Sequence, residues 1–140
     1  MANPISPCLW FDGRAQEAAA FYCSVFKNSK ILSDTPMVVT FELDGKKFMG
    51  LNGGPHFQFT EAVSFVVDCD TQEEIDYYWH KLTEGGSESQ CGWLKDKFGL
   101  SWQIVPSILP TLMSDPERSG RVMQAFLKMK KFDIETLLNA

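Results

Sequence analysis

The chain has 140 residues, of which 44% are hydrophobic and 13% aromatic, enough for one core without disulfide or metal staples. Its net charge of −5 argues against nucleic acid as a partner, because a phosphate backbone calls for a basic face. No stretch approaches a membrane span, the start MANPISPCLWF lacks the basic region and apolar run of a secretory signal, and Cys8, Cys23, Cys69 and Cys91 show neither C-x-x-C nor zinc-ligand spacing, so a cytoplasmic protein with reduced thiols is expected.

Ile5 to Phe11 is an apolar run that predicts a strand, broken by Asp12-Gly13. Ala15, Ala18, Ala19, Tyr22, Val25 and Phe26 then fall on one helical face between Arg14 and Phe26. Strands are predicted near Lys30–Ser33, Met37–Leu43 and Lys46–Leu51, the last two joined by Asp44-Gly45, a two-residue hairpin signal. Gly53-Gly54-Pro55 closes this half. The second half repeats the order. Ala62 to Val67 predicts a strand, and Thr71 with Glu74 forms a capping box for a helix whose stripe is Ile75, Tyr78, Trp79 and Leu82. Strands follow near Glu88–Cys91, Trp93–Lys95 and Leu100–Val105, with Asp96 to Gly99 as a turn. Asp115-Pro116 predicts the start of a tail helix with Val122, Met123, Phe126 and Leu127 on its apolar face, and a last short helix starts at Asp133. The reading is strand, helix and three strands, twice over: an α+β chain with module one at about 1–58, module two at about 59–108 and a helical tail at about 109–140.

Four segments in order, Leu9–Phe26, Phe41–Cys69, Gly92–Pro106 and Arg121–Leu137, resemble the PhnB-like branch of the vicinal-oxygen-chelate superfamily, which includes glyoxalases and bleomycin-resistance proteins. LNGGP-x-F-x-FTEAVSF and GWLKDKFG-x-SWQIVP are the most specific stretches. The resemblance implies a single domain of two tandem βαβββ modules around a cupped mixed sheet, with C-terminal helices, and a homodimer. Part of this branch carries the label 3-demethylubiquinone methyltransferase. The residues do not support that activity, because a methyl donor such as S-adenosylmethionine calls for a Gly-rich strand-to-helix loop, and Gly53-Gly54-Pro55 leads into an extended aromatic segment.

Metal-using relatives place ligands at four cup positions, which fall here near Ser6, Gly50 or Asn52, Ala62 and Gln103. These are poor ligands for a transition metal, so no catalytic metal and no other cofactor is expected. Alternation along the strands, anchored on the resemblance, turns Cys8, Trp10, Phe41, Phe48, Gly50, Asn52, Ser64, Ser101 and Gln103 toward the cup, with Phe65 and Val67 against the second helix. Trp93 fits either face. The amide of Gln103 is expected to bond to Asn52 and Ser64 or to a ligand. His56, on the loop between modules, is either structural or a general base, because imidazoles titrate near neutrality.

The expected ligand site is therefore Trp10, Asn52, Ser64, Trp93 and Gln103, with His56 and Gln103 as the catalytic candidates if the protein is an enzyme. The leading expectation is a binder of a small aromatic or hydrophobic molecule, with no nucleic-acid or membrane partner. The alternatives are a metal-dependent lyase, isomerase or dioxygenase of the glyoxalase type, and a structural or regulatory homodimer whose cup is filled by its own side chains.

Overall fold

The computed structural model describes residues 5–140 and divides into two compact units, one ending at Phe59 and the other starting at Thr60. Each contains one βαβββ module, and each module has its own four-stranded mixed sheet.

In the first module the order is β1 (Cys8–Phe11), α1 (Ala15–Val25), β2 (Lys30–Asp34), β3 (Val38–Leu43) and β4 (Lys46–Asn52). The sheet runs β1-β4-β3-β2, with β1 parallel to β4 and the other pairs antiparallel. The helix forms because Ala15, Ala18, Ala19, Tyr22 and Val25 recur at helical spacing, and all five are buried. Their partners alternate along β3: Val39, Phe41 and Leu43 are buried. The Tyr22 ring stacks on Phe41 at 6.3 Å, and Phe41 stacks on its cross-strand partner Phe48 at 5.6 Å. Asp44 and Gly45 both take positive φ, 51° and 79°, the geometry of a tight hairpin turn.

The second module repeats that permutation with β5 (Ser64–Cys69), α2 (Gln72–Thr83), β6 (Ser87–Glu88), β7 (Trp93–Lys95) and β8 (Ser101–Pro106), in the sheet order β5-β8-β7-β6. The Thr71–Glu74 capping box forms in both directions and starts α2. Ile75, Trp79 and Leu82 are buried, as are Leu94, Trp102 and Ile104 of the sheet. Asp96 anchors the β7–β8 turn. Its buried carboxylate accepts from the backbone N–H of Phe98 at 2.9 Å, that of Leu100 at 3.1 Å and the Trp102 indole at 2.8 Å.

The tail adds α3 (Leu109–Met113), α4 (Ser119–Phe126) and α5 (Ile134–Leu138). Between the last two, the chain pairs with the loop before β7: Cys91 N–H donates to Met129 O and Gly92 N–H to Lys130 O, both at 2.8 Å. Gln72 on α2 clamps the same stretch, donating to Phe132 O at 2.9 Å and accepting from Ile134 N–H at 2.8 Å. Gly92 has φ of +84°, and a Cβ there would lie 2.5 Å from the Phe132 ring, so only glycine fits.

Several boundaries differ from the sequence expectation. β5 begins at Ser64 rather than Ala62, because Glu61 and Ala62 belong to a turn and Val63 to a bend. β6 stops at Glu88, since Cys91 takes φ of 57° and its N–H is claimed by the tail. The first strand starts at Cys8. Asp115 heads a turn, accepting from Glu117 N–H at 3.0 Å, and α4 begins only at Ser119. Its apolar face is narrower than the pattern implied: Val122 is buried, while Met123 and Leu127 are exposed.

Candidate functional site

In each module one sheet face packs on the helix and the other turns away from it. The residues of that helix-free face decide what chemistry the module can offer.

On the first sheet the expected alternation holds for β1 and is reversed for β4. Leu9 and Phe11 are buried and Cys8 is exposed, so Cys8 and Trp10 take the helix-free face. Phe41 and Phe48 pair as expected, but both lie on the helix side, with Phe41 against Tyr22. Gly50 is on that side too: a Cβ added there would sit 3.2 Å from Ala15 Cβ and 3.1 Å from Val39 Cγ1. Cross-strand pairing fixed which residues share a face, but only the helix contact fixes which face that is. The helix-free face of β4 is therefore Met49 and Leu51.

Asn52 ends β4 beside the start of α1. Its Oδ1 accepts from Ala15 N–H at 2.8 Å, and its Nδ2 donates to Gln16 Oε1 at 2.8 Å and to Pro36 O at 3.0 Å. The residue before the helix, Arg14, provides no side-chain cap, so Asn52 supplies from a neighbouring strand the acceptor that a helix N-terminus needs. Trp10 is also engaged within its module. Its indole N–H donates to Gly54 O at 2.8 Å, its ring meets Phe57 edge-on at 4.8 Å, and a Cβ on Gly53 would fall 2.3 Å from it. His56 lies exposed on the loop after Gly54-Pro55.

The second sheet is different. Phe65 packs on Trp102 at 5.7 Å on the helix side. Ser64, Trp93, Lys95, Ser101 and Gln103 share the helix-free face: Trp93 pairs with Gln103, Lys95 with Ser101, and Ser64 with Ser101. Gln103 Nε2 donates to Ser64 Oγ at 3.0 Å. Of the two partners expected for Gln103, Ser64 is present, whereas the Asn52 amide is spent on α1. The carbonyl end of the Gln103 amide accepts no hydrogen bond among the described residues. Ser101 is 1% exposed, and its hydroxyl is buried with no partner among the described residues. A cavity of about 230 Å³ opens beside it, lined by Glu61, Trp93, Lys95 and Ser101 with the β6 strand. Lys95 Nζ reaches Glu61 Oε1 at 3.0 Å. That hydrogen bond, with one to its own backbone and the nearby positive charge, holds the Glu61 carboxyl below its ordinary range. Reading alternation alone placed Ser101 on this face but gave no sign that its hydroxyl is unpaired, and it left Lys95 as a solvated charge.

Two of the four thiols are poor nucleophiles. Burial, reinforced by Glu74, Asp68 and Asp70, pushes Cys69 up to about 12, so it stays protonated near neutral pH, and burial raises Cys23 as well. Alternation gives the helix-free face of the first sheet Cys8 and Glu42 as donors beside Trp10, Met49 and Leu51, and that of the second Asp68 beside Ser64 and Gln103. No group of three or more His, Cys, Asp or Glu side chains could hold an ion among the described residues. These residues do not make up a transition-metal site. A methyl-donor site fares no better, since Gly53 and Gly54 lead through a turn and a bend into β5 and not into a helix.

A sequence profile described as 3-demethylubiquinone-9 3-methyltransferase matches residues 3–105. The chain belongs to that family. It is the PhnB-like family, and the fold of two βαβββ modules is shared with a fosfomycin resistance protein and a glyoxalase-related enzyme. Among solved structures, a PhnB protein of Bacillus cereus whose name carries the same methyltransferase description is 36% identical, with a TM-score of 0.69 over 75% of this chain and 100% of that one. A protein of Pseudomonas aeruginosa is 20% identical, with a TM-score of 0.62 over 75% of this chain and 98% of that one. The fosfomycin resistance protein FosX of Listeria monocytogenes, solved with Mn(II) and sulfate, is 13% identical with a TM-score of 0.61, over 81% of this chain and 98% of that one. These last two show the shared fold alone. No curated protein matches the chain. No helix among the described residues is long and apolar enough to cross a membrane.

Proposed function

We propose that this protein binds a small, planar, partly polar organic molecule on the helix-free face of its second sheet, without a catalytic metal. The observation that carries the reading is the Gln103–Ser64 hydrogen bond at 3.0 Å beside Trp93, which leaves the Gln103 carbonyl oxygen free. An amide set next to an indole offers one donor-acceptor pair and one flat apolar wall, which suits an aromatic or hydrophobic ligand with a single polar edge. Trp10 and Asn52, both engaged within the first module, fall outside the proposed site. Should the protein turn over its ligand, Gln103 would orient a substrate oxygen. This reading involves neither a methyl donor, for which Gly53-Gly54 leads into no helix, nor an ion such as the Mn(II) bound in the FosX structure, for which no cluster of three or more His, Cys, Asp or Glu is present among the described residues. A stoichiometric transition metal in the purified protein would contradict that part of the reading.

Tryptophan fluorescence and amide chemical shifts during titration with a neutral aromatic probe, benzyl alcohol, test the site. Binding is expected, and Trp93→Ala should weaken it by about 1–3 kcal/mol through lost contact area. An unchanged affinity in that variant would remove Trp93 from the site.

We also propose a cytoplasmic homodimer. Edge strand β2 is exposed along its length, and Ile31 and Leu32 on it, Met37 in the bend before β3, and Met123 on α4 with Leu127 at its C-cap leave apolar surface that a second copy would cover. Sedimentation at micromolar concentration should give a dimer; a monomer would end the idea.

A further inference from the structure

The cavity at the β6–β7 side of the second sheet has a chemistry of its own. Its volume of about 230 Å³ is below the range of drug-sized sites, so it suits a small acid or a ring with one substituent. Its one cationic group is Lys95. The partner of that lysine, Glu61, stands in the turn before β5, and their side chains are 41% and 66% exposed. Ion pairs of that exposure contribute little and exchange readily. The other carboxylate of the lining, Glu88, is already turned to α2, where its Oε2 accepts from the Trp79 indole at 2.6 Å. Directly across the ladder from Lys95 is Ser101, whose buried hydroxyl has no partner among the described residues. A buried hydroxyl left unpaired is costly, and this cavity is a route by which a ligand group or a water can reach it. Ser101 and Lys95 are cross-strand neighbours, so one ligand group can reach both.

We propose that this cavity binds a small organic carboxylate by ion-pair exchange: the ligand carboxylate displaces Glu61 from Lys95 and takes a hydrogen bond from Ser101, while Trp93 lies along its carbon skeleton. The inference rests on the reading that the helix-free face of the second sheet is the ligand site, and it adds the charge and anchor of the ligand. Glu61 acts as a built-in competitor that keeps Lys95 neutralised until an acid arrives. A neutral ligand gains nothing from displacing it, and a cationic one could only compete with Lys95 for Glu61 and would leave Ser101 without an acceptor.

The test compares sodium benzoate, benzyl alcohol and benzylamine by amide chemical shift titration of the full-length protein at low ionic strength. Benzoate is expected to bind more tightly than the other two, shifting Lys95, Ser101 and the Trp93 indole, and to weaken with added salt. Lys95→Met should weaken benzoate by about tenfold and Ser101→Ala by about threefold, while Lys95→Arg retains most of the binding. Glu61→Gln should tighten benzoate by about threefold, since it removes the competitor. That gain is the outcome a merely structural ion pair would not produce, and Glu61 is exposed enough for the variant to fold. Unchanged or weaker benzoate binding in Glu61→Gln, equal affinity for benzyl alcohol and benzoate, or shifts confined to other residues would overturn the proposal. If benzyl alcohol binds at Trp93 and Gln103 while benzoate shows no preference, the carboxylate inference fails and the site stands. If none of the probes shifts this face, both fail.

Discussion

The two modules share one strand permutation and differ in how they spend their polar groups. In the first, the Asn52 amide makes all its bonds to the start of α1, to Gln16 and to Pro36, and the Trp10 indole is bonded to Gly54 and packed over Gly53. In the second, among the described residues, Gln103 uses one end of its amide, Ser101 uses none of its hydroxyl, and Lys95 is held only by an exposed carboxylate. The same architecture thus serves a closed set of internal bonds in one half and an unfilled set in the other. Residues whose hydrogen-bonding capacity is exhausted maintain the fold, whereas residues with capacity to spare can hold a ligand.

That contrast separates stability from binding, and substitutions should split along it. The largest effect is expected from Trp10→Ala, which removes the indole bond, the Phe57 contact and the ring above Gly53; denaturant unfolding should show a loss of about 2–4 kcal/mol. Asn52→Ala should cost about 1–3 kcal/mol, because it strips the acceptor from the helix start and leaves the Pro36 carbonyl and Gln16 without their donor. Neither change should alter benzyl alcohol affinity by more than about twofold once the variants are compared well below their melting temperatures, since a loss that small is under about half a kcal/mol. A large affinity loss in Asn52→Ala at unchanged stability would reverse the assignment of the two modules. The smallest stability effect belongs to Gln103→Ala. Its single bond to Ser64 predicts a loss near 1 kcal/mol or less, accompanied by roughly a tenfold drop in affinity for the probe.

Much of this was legible in the residues. Alanine and tyrosine spacing gave α1, the Asp44-Gly45 pair gave both the hairpin and the Phe41–Phe48 register, and Thr71 with Glu74 gave the capping box. These are local signals, settled within a few residues of chain. The face of β4 was not local. Phe41, Phe48 and Gly50 share a side, yet nothing within the strand says whether that side meets a helix, and a glycine has no side chain to vote with. Its reversal moved Asn52 from the expected ligand wall to the helix start. The tail failed for a related reason: Met123 and Leu127 read as a core stripe, but the bonds that fix the tail run from Cys91, Gly92 and Gln72 to backbone groups of Met129, Lys130, Phe132 and Ile134, and a pattern of side chains does not show them. The ligand capacity of Ser101 was invisible for the same cause, since an unpaired hydroxyl is defined by what does not reach it in three dimensions.

The central claim is that the second module's helix-free face holds the ligand. A residue-resolved amide shift map of the full-length protein titrated with benzyl alcohol tests it most directly. The account predicts saturable shifts clustered at Ser64, Trp93, Ser101 and Gln103, with Asn52 and the start of α1 unmoved. Saturable shifts centred on His56, Asn52 and Ala15, with the β7–β8 pair silent, would contradict it.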